Sequence, residues 1–210
     1  MFEPPTQRYE GYIFDCDGTL ADSMVVSHQA WLAAFRRHGG TFEFGWELFM
    51  SRAGMSLFKT VEALNEQFGL AMDPAAVSAA QQAEYLLYLP KVEPLAPVVA
   101  FAREAACYAK VAVASGGERP IVLRTLELIG VADVVSVVVT AEDVKRGKPA
   151  PDLFLLAAER LGVHPSKCVV FEDSAFGIEA ARVAGMDSVL VRPPSMERQK
   201  AAAGNVSAPG

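Results

Sequence analysis

One stretch near the N-terminus decides the fold of this chain, Gly11-Tyr12-Ile13-Phe14-Asp15-Cys16-Asp17-Gly18-Thr19. Its first four residues form a short, mostly apolar run, which predicts a buried β-strand. The two aspartates follow at positions i and i+2, which point the same way in extended backbone. Because carboxylates so close repel each other, the pair predicts a cation site, or a nucleophile beside an acid or base. In isolation the motif fits a strand-end turn with solvated aspartates equally well, so the rest of the chain must decide.

Four further apolar runs predict parallel strands, over residues 110–114, 134–140, 168–171 and 188–191. Helical patterns lie between them, over residues 120–129, 151–161 and 175–184, and a glycine follows each one. Strands that alternate with helices are typical of βαβ units. The sequence therefore predicts an α/β fold with a Rossmann-like parallel sheet as its core.

The segment between the first and second strands has a different character. Residues 24–89 contain only helical patterns, over 25–38, 46–50, 56–68 and 74–89. They predict an α-helical cap domain inserted after the first strand, with residues 1–23 and 90–197 forming the core domain. A cap at this point would exclude water from a reacting group, although a helical subdomain that only packs is the alternative. The Ala/Gly/Ser-rich tail, residues 198–210, is predicted to be disordered.

Composition excludes several classes of protein. The 210 residues are 51% hydrophobic, which is ordinary for a globular chain with a sizeable core. A net charge of −6 without a basic cluster argues against nucleic-acid binding. No apolar run reaches the ~20 residues of a membrane span, and the polar start is unlike a signal peptide. The three cysteines are expected to be buried and reduced, and the scattered histidines argue against zinc. We expect a cytoplasmic monomer.

Polar groups follow each of the predicted core strands. Ser115 and Gly116 offer a hydroxyl and a free backbone amide ahead of a helix, which suits phosphate oxygens. Lys148 could neutralise a phosphate, and Glu172 and Asp173 follow a buried strand. Ligands of open α/β sheets bind beyond the carboxyl ends of the strands, so these groups are expected to meet. If these residues had only structural roles, Ser115 and Gly116 would belong to a glycine-rich turn, Lys148 would lie on the surface, and Asp173 would cap a helix.

Taken together, these strand-end motifs carry a resemblance that covers nearly the whole chain. Asp15-Cys16-Asp17-Gly18-Thr19, Ser115, Lys148 within Gly147–Asp152, and Phe171-Glu172-Asp173-Ser174 occur in that order. In this order they resemble the haloacid dehalogenase-like superfamily of aspartate-nucleophile phosphatases and phosphomutases. The stretch VVFEDSAFGIEAARVAG, residues 169–185, and the helical insertion are similar to its β-phosphoglucomutase and small sugar-phosphatase branch. Enzymes of the fructose-1-phosphate/6-phosphogluconate phosphatase type are the nearest in character.

The resemblance implies a role for each matching residue. Asp15 would attack phosphorus and form an aspartyl-phosphate, while Asp17 would protonate the leaving oxygen and then activate water. It implies a Mg²⁺ site built from Asp15, the Asp17 backbone carbonyl and Asp173, with Glu172 assisting. It also implies that the phosphoryl group of a small sugar phosphate is held by Ser115, the Gly116 amide and Lys148.

The inserted segment departs from this branch in two places. Relatives often carry a histidine on the first inserted helix where this chain has Ser27, and His28 follows one residue later. Mutases of the branch place an arginine near the position of Leu57 to grip a second phosphate. Arg52 and Lys59 are the nearest cations, so Arg52, Lys59 and His28 are only possible substrate contacts. The missing arginine favours a phosphatase over a phosphomutase.

Two further classes of function fit the sequence less well. A dehalogenase of the superfamily lacks the second aspartate and needs no Mg²⁺, so Asp17 argues against that activity. A non-catalytic binding module that kept the fold would usually have lost one of the key residues. Here Asp15, Asp17, Lys148 and Asp173 are all present, which argues for an enzyme.

Overall fold

Five parallel strands form one sheet in the computed structural model, which describes residues 2–196 and residue 199. The strands are β1 (Gly11–Phe14), β2 (Lys110–Ala114), β3 (Val137–Val139), β4 (Cys168–Glu172) and β5 (Asp187–Leu190). They lie in the order β3-β2-β1-β4-β5. Phe14 of the central strand pairs with Val113 and with Phe171, so the carboxyl ends of β1, β2 and β4 are level. The predicted α/β fold with a parallel sheet is confirmed.

Eight α-helices lie between residues 24 and 183. They are α1 (Met24–Arg37), α2 (Trp46–Met50), α3 (Leu57–Phe68), α4 (Pro74–Tyr88), α5 (Ala96–Ala106), α6 (Arg119–Leu128), α7 (Asp152–Leu161) and α8 (Ala175–Val183).

Helices cover both faces of the sheet, so the three inner strands β2, β1 and β4 are buried apart from Lys110. Tyr12 and Phe14 of β1 belong to one hydrophobic cluster, which includes residues of α5 and α6. Ile13, between them, belongs to a second cluster with residues of α7 and α8. This alternation gives each face its own core and leaves the ends of the strands free for ligands.

Helices α1 to α4 all lie in the insertion between β1 and β2. They bury a hydrophobic cluster of their own, which is rich in aromatic rings and includes Trp31, Phe35, Phe44 and Phe49. Ser56 caps α3 and Asp73 caps α4, each accepting a hydrogen bond from a backbone N–H of its helix. Val26 of α1 and Tyr85 of α4 join the cluster of the sheet instead, so both helices also pack on the core.

Several details differ from the sequence prediction. Helix α5 was not expected, and the strand predicted over 134–140 is shorter, at Val137–Val139. The three cysteines are unpaired, but Cys107 is exposed, whereas all three were expected to be buried. The predicted disordered tail, 198–210, lies outside the described residues apart from Gln199. Among the described helices, none has the length and apolar character needed to cross a membrane.

Candidate active site

Parallel pairing brings the polar strand ends to one edge of the sheet. The backbone N–H of Asp15 donates to the Phe171 carbonyl at 2.9 Å, which fixes the end of β1 against β4. The N–H of Ser115 donates to the Val139 carbonyl at 3.0 Å and fixes the end of β2 against β3. The hydrogen bonds of the sheet thus continue one residue past the strands, and the functional side chains begin there.

A buried lysine bridges two of these strand ends. Lys148 Nζ lies 2.5 Å from Asp15 Oδ1 and 2.6 Å from Glu172 Oε1. The Lys148 side chain is fully buried, as is that of Glu172 apart from 1%, so both interactions are shielded from water. Lys148 is therefore a buried bridge between the ends of β1 and β4. It is not a surface lysine, which was the alternative in the sequence analysis.

Glu172 is held from its other side by the start of α8. Its Oε2 accepts hydrogen bonds from the backbone N–H of Ser174 at 2.7 Å and from the Ser174 hydroxyl at 2.8 Å. The same hydroxyl caps α8 by accepting from the Gly177 N–H at 3.1 Å. A Cβ on Gly177 would lie 1.9 Å from Glu172 Cδ, so only glycine lets the helix approach this carboxylate. Because Oε2 is held by Ser174, the Glu172 carboxylate is fixed, and its Oε1 holds the Lys148 ammonium in one position.

The electrostatics of the cluster follow from burial and from mutual repulsion. Burial raises the pKa of Asp15 to about 7, and the negative charge of Glu172 adds to this while Lys148 opposes it. Burial alone would lower the pKa of Lys148, but the carboxylates of Asp15 and Glu172 raise it above its ordinary value. Burial, together with the charges of Glu172 and Asp15, raises the pKa of Asp173 well above its ordinary value. Three acids thus face one ammonium, and ionising all three would leave a surplus of negative charge that protons or a cation must balance.

A divalent cation would balance the negative charge of these carboxylates. Oxygens of Asp15, Glu172 and Asp173 lie within 4.8 Å of one another. Asp173 Oδ2 is buried and has no hydrogen-bond partner, which is costly unless a ligand satisfies it. A Cβ on Gly18, which has φ +80°, would lie 2.2 Å from that oxygen, so the turn after β1 closes directly over it. An all-oxygen donor set suits Mg²⁺.

Asp17 is held apart from this cluster. Its Oδ1 accepts hydrogen bonds from the Ser23 hydroxyl at 2.5 Å and from the Tyr85 hydroxyl at 2.9 Å. Burial, followed by the negative charge of Asp17, raises the pKa of Tyr85 well above its ordinary value, so the phenol keeps its proton and donates. Tyr85 was not singled out in the sequence, because no local pattern links it to a residue 68 positions away.

The loop after β2 forms the opposite wall. Ser115 is 2% exposed, and its hydroxyl accepts from the Gly117 N–H at 3.1 Å. A Cβ on Gly116 would lie 3.5 Å from the carbonyl oxygen of Gly54, which belongs to the inserted segment. A Cβ on Gly54 would in turn lie 2.8 Å from Ser174 Oγ. The inserted segment therefore reaches the core at two strand ends and closes the site between them.

A cavity of about 120 Å³ lies between these walls. From the core it is lined by Asp15, Asp17, Ser115, Gly116, Glu172 and Asp173. From the inserted segment it is lined by apolar groups that include Trp31, Phe49 and Met55, and by Ser27 and Arg52. These six predicted residues of the core thus border one space, whereas Lys148 contacts Asp15 and Glu172 without lining the cavity itself.

The possible cap contacts are only partly brought to it. Arg52 lines the cavity, with its Nη2 bonded to Gln67 and its buried Nε without a partner. Lys59 is exposed and pairs with Glu62 at 2.8 Å, away from the lining of this cavity. His28 Nε2 lies 2.8 Å from the carbonyl oxygen of Phe44, inside the aromatic cluster of the cap. Ser27 takes the position at the cavity that His28 was considered for.

Comparisons with known proteins agree with this fold. A family model described as haloacid dehalogenase-like hydrolase matches residues 9–185. Fructose-1-phosphate phosphatase YqaB of Escherichia coli (strain K12) is 38% identical over 187 residues, covering 89% of this chain and 98% of its own. Among solved structures, a hydrolase from Pseudomonas syringae superposes with a TM-score of 0.78 at 25% identity, covering 85% of this chain and 83% of its own. A β-phosphoglucomutase from Clostridium difficile superposes with a TM-score of 0.72 at 22% identity, covering 86% of this chain and 83% of its own.

These matches bear on several of the sequence predictions. The likeness to β-phosphoglucomutase concerns the fold alone, because the identity is low. The family match and the phosphatase relative confirm the prediction of a phosphoric monoester hydrolase at the level of the family.

Proposed function

The chain belongs to the haloacid dehalogenase-like hydrolase family, and from this premise we propose that it is a Mg²⁺-dependent phosphatase of a small sugar phosphate, acting through an aspartyl-phosphate. One observation carries the proposal. A buried ammonium, Lys148, holds the Asp15 carboxylate beside an unpartnered carboxylate oxygen of Asp173, in a cavity that also contains Asp17 and the Ser115 loop. The fructose-1-phosphate phosphatase of Escherichia coli supports a sugar phosphate as the substrate class.

The reaction has two displacements at phosphorus. In the first, a carboxylate oxygen of Asp15 forms a bond to phosphorus while the bond from phosphorus to the sugar oxygen breaks, and Asp17 gives that oxygen a proton. In the second, water attacks phosphorus, Asp17 takes its proton, and the bond from phosphorus to Asp15 breaks. Inorganic phosphate and the free sugar leave, and Asp15 and Asp17 return to their starting states.

The rest of the site stabilises the phosphoryl group as it moves. Lys148, the Ser115 hydroxyl and the Gly116 amide offer positive charge and hydrogen bonds to the phosphoryl oxygens. Asp15, the Asp17 carbonyl and Asp173 would hold Mg²⁺, which supplies the positive charge that draws a dianionic phosphate toward Asp15. Glu172 keeps Lys148 in place, and both of its oxygens already have donors, so we assign it no direct bond to the metal.

Water access separates a phosphatase from a phosphomutase, the alternative function. A mutase must keep water away from the aspartyl-phosphate while the sugar turns around, and it must grip a second phosphate. The cap wall offers Leu57 where the mutase arginine would lie, and Arg52 is bonded to Gln67. These observations favour the phosphatase. We also propose a location in the cytoplasm, which the unpaired cysteines support, and a monomeric state.

Phosphate release from a panel of sugar phosphates tests the proposal. The panel contains fructose 1-phosphate, 6-phosphogluconate, 2-deoxyglucose 6-phosphate and β-glucose 1-phosphate, each with Mg²⁺ and with EDTA. We expect free phosphate from at least one sugar phosphate with Mg²⁺ and none with EDTA. Glucose 6-phosphate formed from β-glucose 1-phosphate without free phosphate would establish the mutase instead. No turnover of any ester would overturn both activities.

A further inference from the structure

The carboxylate of Asp17 is tied down through one of its two oxygens. Oδ1 accepts two hydrogen bonds, from Ser23 and from Tyr85, and both donors are buried. Oδ2 faces the loop after β2, since a Cβ on Gly117 in that loop would lie 3.9 Å from it. The carboxylate is thus anchored by one oxygen and presents the other to the cavity.

The two anchors come from opposite ends of the inserted segment. Ser23 immediately precedes α1, and Tyr85 lies in the last turn of α4, which packs closely on α1. Tyr85 is 4% exposed, and its ring belongs to the hydrophobic cluster of the sheet. Because this packing restricts the ring, the Tyr85 hydroxyl can hold the Asp17 carboxylate in one orientation.

We propose that Tyr85 is a positioning residue that holds Asp17 Oδ2 toward the oxygen of the leaving group. This inference rests on the proposed function, because it assumes that Asp17 passes a proton to that oxygen. General acid catalysis contributes about 10²–10⁴-fold and depends on hydrogen-bond reach, so a carboxylate that rotates freely loses part of this factor. Tyr85 itself touches no reacting atom. Because Tyr85 belongs to α4, the orientation of Asp17, and with it the proton transfer, depends on where α4 lies.

The test is Tyr85→Phe, which keeps the ring and removes only the hydroxyl. We expect kcat/KM for a sugar phosphate, which reports the step that releases the leaving group, to fall about tenfold, because an alcohol leaves poorly without a proton. For 4-nitrophenyl phosphate, whose leaving group is stable as an anion, we expect kcat/KM to change by less than about threefold. A purely structural role would lower both values by the same factor. Equal losses, or no loss on either substrate, would overturn the proposal.

Two controls keep the outcome specific. Tyr88→Phe, one turn further along α4, removes a hydroxyl that makes no hydrogen bond to any described residue, and it should leave turnover of both substrates unchanged. In an Asp17→Asn background, Tyr85→Phe should produce no further loss on the sugar phosphate. If Asp17→Asn itself slows both substrates equally, the proposed acid role of Asp17 fails. If Asp17→Asn is selective for the sugar phosphate and Tyr85→Phe is not, only the role of Tyr85 fails.

Discussion

Single residues in this site are constrained from several directions, and Glu172 is the clearest case. Its carboxylate receives Lys148 on one side and the start of α8 on the other, with no water-exposed surface. A buried charge of this kind is tolerated only when its partners are complete. The environment of Glu172 therefore decides where Lys148 lies, and through Lys148 it decides how Asp15 is held.

Gly177→Ala tests this constraint. By helix propensity alone, alanine inside α8 should stabilise the protein by about 1 kcal/mol. The added Cβ would, however, meet Glu172 Cδ at 1.9 Å. We expect a net loss of about 1–3 kcal/mol in the free energy of unfolding, measured with urea, together with reduced activity. Gly147→Ala is the matched control, since nothing lies within 4 Å of its added Cβ. A Gly177→Ala protein as stable as the wild type would contradict this packing.

Asp15 and Asp173 could be placed from the sequence because each follows a buried strand, whereas Lys148, which lies well beyond the end of β3 at Val139, was placed by the order of the motifs. The structure brings Asp15, Lys148 and Asp173 together as that placement predicts, and their roles remain proposals. Tyr85 could not be found in this way, because its contact with Asp17 depends on how α4 packs and not on a nearby pattern. Glu172 was named from the sequence, but its pairing with Lys148, 24 residues away, is visible only in three dimensions.

At the scale of elements, one aspartate fastens three parts of the core together. Asp143 accepts hydrogen bonds from the Thr140 N–H at 2.8 Å, just after β3, and from Arg160 of α7 at 2.9 Å. It also pairs with Arg119 at the start of α6. Although partial burial opposes ionisation, the hydrogen bonds from Arg160 and Thr140 lower the pKa of Asp143 below its ordinary value.

The stability contributed by Asp143 should therefore depend on pH. Because folding lowers its pKa, protonation favours the unfolded chain. The contribution is complete above the unfolded pKa of about 3.9 and is lost as the pH falls toward the folded pKa. We expect Asp143→Asn to cost about 1–3 kcal/mol at pH 7 and less at pH 3, measured by urea unfolding. The exposed Asp133, paired with Arg103, gives the comparison Asp133→Asn, which should change little. An equal cost for Asp143→Asn at both pH values would exclude its charge as the cause.

The elements themselves differ in how well the sequence predicts them. β1, β2 and α2 begin and end where the apolar runs predict, since turn residues or glycines bound them. Helix α5 was missed although Pro97 lies in its first turn, a start signal that it shares with the predicted helix α6. Its helical state depends on burying Val98, Ala102 and Ala105 against the sheet. Tertiary packing thus supplies what the local signal lacks.

For the whole molecule, the surplus negative charge of the site links metal binding to stability. Mg²⁺ that binds only the folded chain stabilises it by about 2.7 kcal/mol at 100 times its Kd. For a chain of this size, that corresponds to roughly 5–10 °C in Tm. We expect this rise on adding Mg²⁺, measured by thermal unfolding without any substrate.

Asp173→Ala should abolish this rise in Tm. Without Mg²⁺ the variant should be at least as stable as the wild type, because it removes a buried oxygen that has no partner. Glu66→Ala, at an exposed site on α3, is the control and should keep the full response to Mg²⁺. A wild-type shift in Asp173→Ala would place the metal elsewhere.

The central claim is that Asp15 is the nucleophile, and the measurement that tests it most directly is kcat of Asp15→Asn on the best sugar phosphate. Asparagine keeps the shape and an oxygen that can accept from Lys148, so the fold should persist, as circular dichroism and Tm can verify. We predict a loss in kcat of at least about a thousandfold, because a neutral amide is a poor nucleophile toward phosphorus. A folded Asp15→Asn protein with kcat within about tenfold of the wild type would contradict the account.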